Sequence, residues 1–155
     1  MDKQCDHKSV GMLIQRDGKI LLIERKNVPF GFAPPAGHVD EDASFEEAAK
    51  RELQEEVGLK SHRMGLMIEG RKNNPCGRSN GRWHYWKIYE SEAEGEVERS
   101  DEEAKQVQWC AKNELMALAK KTERYLRREM NDEEWEESPG LEPVWYEWLK
   151  ELKII

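Results

Sequence analysis

The chain has 155 residues, with 25 Lys and Arg set against 32 Asp and Glu, a net charge of −7 and 37% charged residues. Six Trp, four Tyr and three Phe argue against disorder, and the length suits one compact domain whose core needs no disulfide staples. The acid excess excludes a broad electrostatic grip on nucleic-acid polymer, which requires clustered Lys and Arg.

No apolar run approaches the roughly 18–20 residues of a membrane helix. Met1 to Ser9 is polar, without an apolar signal core. A cytoplasmic protein without a membrane partner is therefore expected. Cys5, Cys76 and Cys110 are odd in number, far apart and without CxxC spacing, which argues against both a disulfide framework and a thiolate zinc site. His7, His38, His62 and His84 show no i,i+4 pairing, so no histidine-built metal site is expected either.

In chain order, Val10–Arg16 and Lys19–Glu24 are apolar strands joined by Asp17-Gly18, a two-residue hairpin signal. Asn27–Gly37 is rich in Pro and Gly and reads as a loop. Ser44, with Glu47 three residues on, makes a capping box; helix formers then run to Val57, and Gly58 supplies the stop. Ala49, Leu53 and Val57 form the core stripe of that helix.

Arg63–Glu69 reads as a strand, 70–81 as a polar loop and Arg82–Ser91 as a second, aromatic-rich strand. Period-2 alternation puts Trp83 and Tyr85 on one face and Trp86 on the other. From Glu90 to Glu103 there are eight acids and one base, with a turn at Gly95. Val107–Cys110 is a short strand, Asn113 caps a helix to about Met130, and 131–140 is an acidic linker. Leu141–Ile155 is a C-terminal amphipathic helix carrying Trp145, Trp148 and Leu149, which packs on the domain or on a second copy in a homodimer. Strands around one well-capped helix, followed by helices, indicate a mixed α/β layer fold.

The chemistry concentrates in Arg51-Glu52-Leu53-Gln54-Glu55-Glu56-Val57-Gly58-Leu59. Glu52, Glu55 and Glu56 stand at i, i+3 and i+4, and such like-charge neighbours destabilise a helix by a few tenths of a kcal/mol per pair. A hard divalent cation relieves that repulsion, and Mg²⁺ prefers carboxylate, water and phosphate oxygens.

Gly37, thirteen residues, then Arg-Glu-Leu-x-Glu-Glu-x-Gly-Leu resembles the box of the Nudix hydrolase superfamily. The flanks, including Pro34-Pro35-Ala36-Gly37-His38 and the approach from Glu103 to Trp109, resemble the family as well. The resemblance implies a Nudix-type α/β/α sandwich with a mixed β-sheet, a single domain with its core at about 8–130 and a C-terminal helix at about 141–155. It also implies metal-dependent hydrolysis of a pyrophosphate bond in a small nucleoside diphosphate derivative. A non-catalytic nucleotide-binding sensor of the same fold is the alternative.

Under that resemblance Gly37, through its carbonyl, and Glu52, Glu55 and Glu56 hold Mg²⁺ or Mn²⁺. Glu55, Glu56 or Glu103 supplies the base, with Glu102 as runner-up to Glu103, and Arg25 contacts the substrate phosphates. Arg82 belongs to a basic patch with Arg71, Lys72 and Arg78 at the expected pocket rim. His38 is taken as structural. Pro75 follows Leu59 at a spacing found in relatives that cleave ADP-ribose. One position departs from the pattern: the first Glu of the box falls at Ala43, leaving Asp42, Glu46 or Glu47 to pair with Arg51.

Overall fold

The computed structural model describes residues 3–155; Met1 and Asp2, part of the polar N-terminal stretch, lie outside it. Strands β1 (Lys8–Arg16) and β2 (Lys19–Arg25) form the expected hairpin, with Asp17 at φ 51° and Gly18 at φ 75°, the left-handed pair that a two-residue turn demands. Two short strands, β3 (Phe32–Ala33) and β4 (Ala36–His38), interrupt the segment expected to be all loop. The paired prolines forbid a continuous strand there, so β3 bonds to β2 while β4 crosses to β1, with Val10 opposite Gly37.

Helix α1 (Phe45–Val57) begins at Ser44, whose Oγ accepts the Glu47 N–H at 3.1 Å. It ends at Gly58, φ 69°, whose N–H reaches the Gln54 carbonyl. Strands β5 (Lys60–Lys72) and β6 (His84–Glu94) run longer than their sequence signals, because pairing with each other and with the core stabilises residues whose own propensity is poor. Strand β6 lies parallel to β1, and β7 (Ala104–Cys110) pairs with β2. Helix α2 (Lys112–Leu126) starts one residue before Asn113, and its N-terminus is closed by Glu114 accepting the Ala111 N–H at 3.0 Å. The acidic linker contains a short helix, α3 (Asp132–Glu137), and α4 (Pro143–Glu151) follows.

The mixed sheet buries both faces, giving the three-layer α/β/α arrangement. Val10, Met12, Ile14, Leu21 and Ile23 meet Ala49, Leu53 and Val57 of α1. On the opposite face, Leu13, Leu22, Trp86 and Ile88 meet Leu115, Trp145, Trp148 and Leu149 of α2 and α4. The C-terminal helix thus packs on its own domain. No helix among the described residues is long and apolar enough to cross a membrane.

Candidate active site

Glu52 and Glu56 are one helical turn apart, about 40° around the axis, on the shoulder of the stripe that buries Leu53. They are only 9% and 4% exposed. Glu55 is turned about 100° from Glu56 and therefore faces outward, where it accepts from Arg51 at 3.0 Å. Glu55 shares Arg51 Nη1 with Glu52 but stands outside the tightest group of carboxylates. Instead Glu103 joins Glu52 and Glu56, each placing a carboxylate oxygen within 4.8 Å of the others.

Glu103 is delivered by the segment that caps the end of α1. The Glu98 N–H bonds to the Val57 carbonyl at 2.8 Å and the Ser100 N–H to the Glu56 carbonyl at 3.1 Å. The Glu103 carbonyl then accepts from the Lys26 N–H at 2.9 Å, which fixes it beside Arg25.

Gly37 completes the cage from β4. A Cβ there would sit 2.1 Å from the Glu52 carboxyl carbon, so only glycine lets that carboxylate lie against the strand. Its neighbour Ala36 donates its N–H to Glu56 Oε1 at 3.1 Å. These groups line a cavity of about 230 Å³ together with Arg25, Pro75 and Glu142. Arg25 is anchored by Nε donating to the Pro29 carbonyl at 2.8 Å.

Crowding of the acids shows in their proton affinities. Burial pushes Glu52 up to about 7, with Glu103 and Glu55 adding repulsion and Arg51 opposing it. Burial, then Glu52 and Glu103, holds Glu56 well above the ordinary carboxylate range. Burial and Glu55 raise Glu103. Three carboxyl groups that resist ionisation together are a donor set that fits a hard divalent cation, whose charge would offset both the burial and the mutual repulsion.

The departure at Ala43 is compensated by its neighbour. Asp42 Oδ2 accepts from Arg51 Nε at 2.8 Å, while the same guanidinium donates to Glu52, Glu55 and the His38 carbonyl. Glu46 and Glu47 take no part in this pairing.

Of the basic patch, Arg78 lines the cavity, but Asp40 binds its guanidinium through both oxygens; Arg82 is exposed and stands outside the lining. Trp86 lines the cavity, whereas Tyr85 faces outward and bonds to Glu69 at 2.7 Å. Glu142 was not legible as a site residue, because nothing local in sequence ties the start of α4 to the carboxylate helix.

The structure also brings together cysteines and histidines that lie far apart in the sequence. Cys5, His38, Cys76 and His84 converge beside the same cavity, whose wall includes the last three, each able to place one donor atom within 4.8 Å of the rest. They come from the approach to β1, the end of β4, the β5–β6 loop and the start of β6, so no spacing rule could connect them. Cys110 stays apart in the core, its thiol pushed up to about 11 by burial.

Comparison with known proteins agrees with this architecture. The model of the NUDIX domain matches residues 6–132. An ADP-ribose pyrophosphatase of Methanocaldococcus jannaschii is 51% identical over 53 residues, which are 33% of this chain and 31% of that protein, so the alignment spans about a third of the relative's length. The crystal structure of a MutT NUDIX hydrolase from Burkholderia pseudomallei superposes with a TM-score of 0.61 at 29% identity, covering 69% of this chain and 84% of that one. A NUDIX-family hydrolase from Clostridium perfringens shares the fold over 94% of this chain and 95% of its own, with a TM-score of 0.63 at 18% identity. The chain belongs to the NUDIX family.

Proposed function

We propose that this protein is a metal-dependent hydrolase that cleaves the pyrophosphate bond of a small nucleoside diphosphate derivative, with ADP-ribose the first substrate to test. The observation that carries the reading is the convergence of Glu52, Glu56 and Glu103 around Gly37 in a cavity that also holds Arg25. At about 230 Å³ the cavity is smaller than the roughly 300–1,000 Å³ typical of small-molecule sites. It suits the diphosphate, leaving a base or sugar to lie along the rim by Pro75.

Glu52, Glu56 and the Gly37 carbonyl would hold the divalent ion, Mg²⁺ or Mn²⁺, with the Glu103 carboxylate close to both glutamates. When bound, the ion neutralises the diphosphate and polarises phosphorus toward attack. Arg25 binds and orients the phosphate oxygens. Glu103, whose raised proton affinity brings it nearer to neutral pH, takes the proton of the attacking water. Glu55 shares Arg51 with Glu52 and Asp42 and so tunes the helix face from outside, and Arg82 meets the distal part of the substrate at the rim.

The test is incubation with Mg²⁺ or Mn²⁺ and a panel of ADP-ribose, NADH, nucleotide sugars, dNTPs and dinucleoside polyphosphates, following phosphate release and product mass. Hydrolysis at the diphosphate, lost by roughly 100-fold or more in Glu56→Gln, is expected, the scale of removing a key electrostatic group from an active site. Tight binding of a panel member without turnover would replace this reading with a nucleotide sensor.

A further inference from the structure

We propose that Cys5, His38, Cys76 and His84 form a four-coordinate zinc site, separate from the carboxylate cage and structural in role. The four donor atoms already lie within 4.8 Å of one another, and Cys5 Sγ is 3.3 Å from His84 Nε2. Around tetrahedral zinc, bonds of about 2.3 Å to sulfur and 2.0–2.1 Å to nitrogen separate the donors by roughly 3.3–3.8 Å, so only a slight closing-in is required.

The surroundings are those of a ligand set. His38 Nδ1 lies 2.8 Å from Asp6 Oδ1, and His84 Nδ1 lies 3.1 Å from Asn74 Oδ1. Each imidazole thereby has one nitrogen held by an oxygen acceptor and the other free to ligate, the outer support that metal-binding histidines characteristically have. Those acceptors are themselves pinned. Asp6 receives the Asp40 N–H at 2.7 Å, and Asn74 Oδ1 receives Trp86 Nε1 at 3.1 Å.

Both sulfurs accept a backbone N–H from two residues on, His7 to Cys5 at 3.3 Å and Arg78 to Cys76 at 3.4 Å, so each Sγ is held within its own turn. Gly81 makes room for the Cys76 turn, since a Cβ there would stand 2.0 Å from Sγ.

Donor chemistry separates the two sites. Thiolate and imidazole select zinc, whereas a set of carboxylate and carbonyl oxygens suits Mg²⁺ or Mn²⁺. Two thiolates, two neutral imidazoles and Zn²⁺ sum to zero charge, which suits a site at the edge of the interior. Protein donors fill all four positions, so the ion has no open place for substrate and acts as a clip. It ties the N-terminal segment, β4, the β5–β6 loop and β6 together. Through His38 it steadies Gly37 next door and the carbonyl that receives Arg51.

The experiment is metal analysis of the whole chain, produced with zinc in the medium and gel-filtered in excess Mg²⁺. One zinc per chain is expected in the wild type and in Glu56→Gln, and none in Cys76→Ser. Replacing zinc with Co²⁺ should give thiolate-to-cobalt charge-transfer bands and the strong visible absorption of a tetrahedral ion. If Cys76→Ser does not fold, thiol titration of the native wild type decides. Cys5 and Cys76 should be protected by zinc and become reactive on chelation. Zinc that is lost in Glu56→Gln but kept in Cys76→Ser would overturn the proposal. Thiol reactivity indifferent to zinc, or a non-reduced mass lighter by two hydrogens from a Cys5–Cys76 disulfide, would overturn it equally.

Discussion

Glu142 is only 5% exposed and lines the cavity; burial raises its proton affinity and Arg25 partly opposes the shift. The sign of its effect on stability follows directly. Well below the ordinary carboxylate pKa, folded and unfolded chains are both protonated and the residue costs nothing. As pH rises, the unfolded chain ionises first while the folded one resists, so stability is lost through that range and beyond. Glu142→Gln should therefore melt higher than the wild type at pH 7, and the gain should vanish near pH 4. Thermal melts of both proteins at the two pH values check this, and an unchanged or lower melting temperature at pH 7 would refute the burial argument. The Glu142 backbone N–H, bonded to the Phe32 carbonyl at 2.9 Å, is untouched by the change.

Between elements, one guanidinium joins α1 to the two segments before it. Arg51 binds Asp42 in the loop, the His38 carbonyl at the end of β4, and Glu52 and Glu55 on its own helix. Burial works against its charge, but Asp42 and Glu52 outweigh that and keep it firmly cationic. Asp42→Ala should release the loop and lower kcat by about 10–100-fold, the usual cost of losing a group that orients metal ligands. Helix content by circular dichroism should not change, because the Ser44 cap and the Gly58 stop remain. Adding Ala43→Glu to Asp42→Ala should recover much of the loss, and failure of that rescue would show that Asp42 does more than receive Arg51. Helix α1 was legible down to its caps, since cap, stripe and stop are encoded within a few residues of each other. The split of its acids into Glu52 and Glu56 inside and Glu55 outside was not, because spacing says which residues are neighbours on a helix but not which way the sheet lies.

For the molecule as a whole, the C-terminal helices close the second face of the sheet. Trp145 is fully buried, packs edge-on to Trp86 with ring centroids 5.5 Å apart, and fills the space that Gly11 leaves on β1. A Cβ at Gly11 would stand 2.3 Å from the Trp145 ring. Trp145→Ala should cost about 3–5 kcal/mol. For a chain of this length that corresponds to a fall of roughly 10 °C in melting temperature, measurable by calorimetry. A fall of only a degree or two would mean that α4 is an appendage and not half of the core. The helical character of 141–155 was visible in its pattern of aromatics, but its seat was not.

By itself the sequence determined whatever is encoded locally: the Asp17-Gly18 hairpin, the capped α1, the run of acids from Glu52 to Glu56 and the family to which its spacing belongs. Only the tertiary structure decided which groups meet. Glu103 and Glu142 reach the cage from far along the chain, Asp42 stands in for the missing acid at Ala43, and two cysteines and two histidines from four separate segments close on one point. The reason is physical. Capping, turns and helical faces depend on residues a few positions apart, whereas a ligand set depends on how the sheet registers its strands and where loops cross it. Burial of the two apolar faces fixes that arrangement without leaving a mark in local spacing.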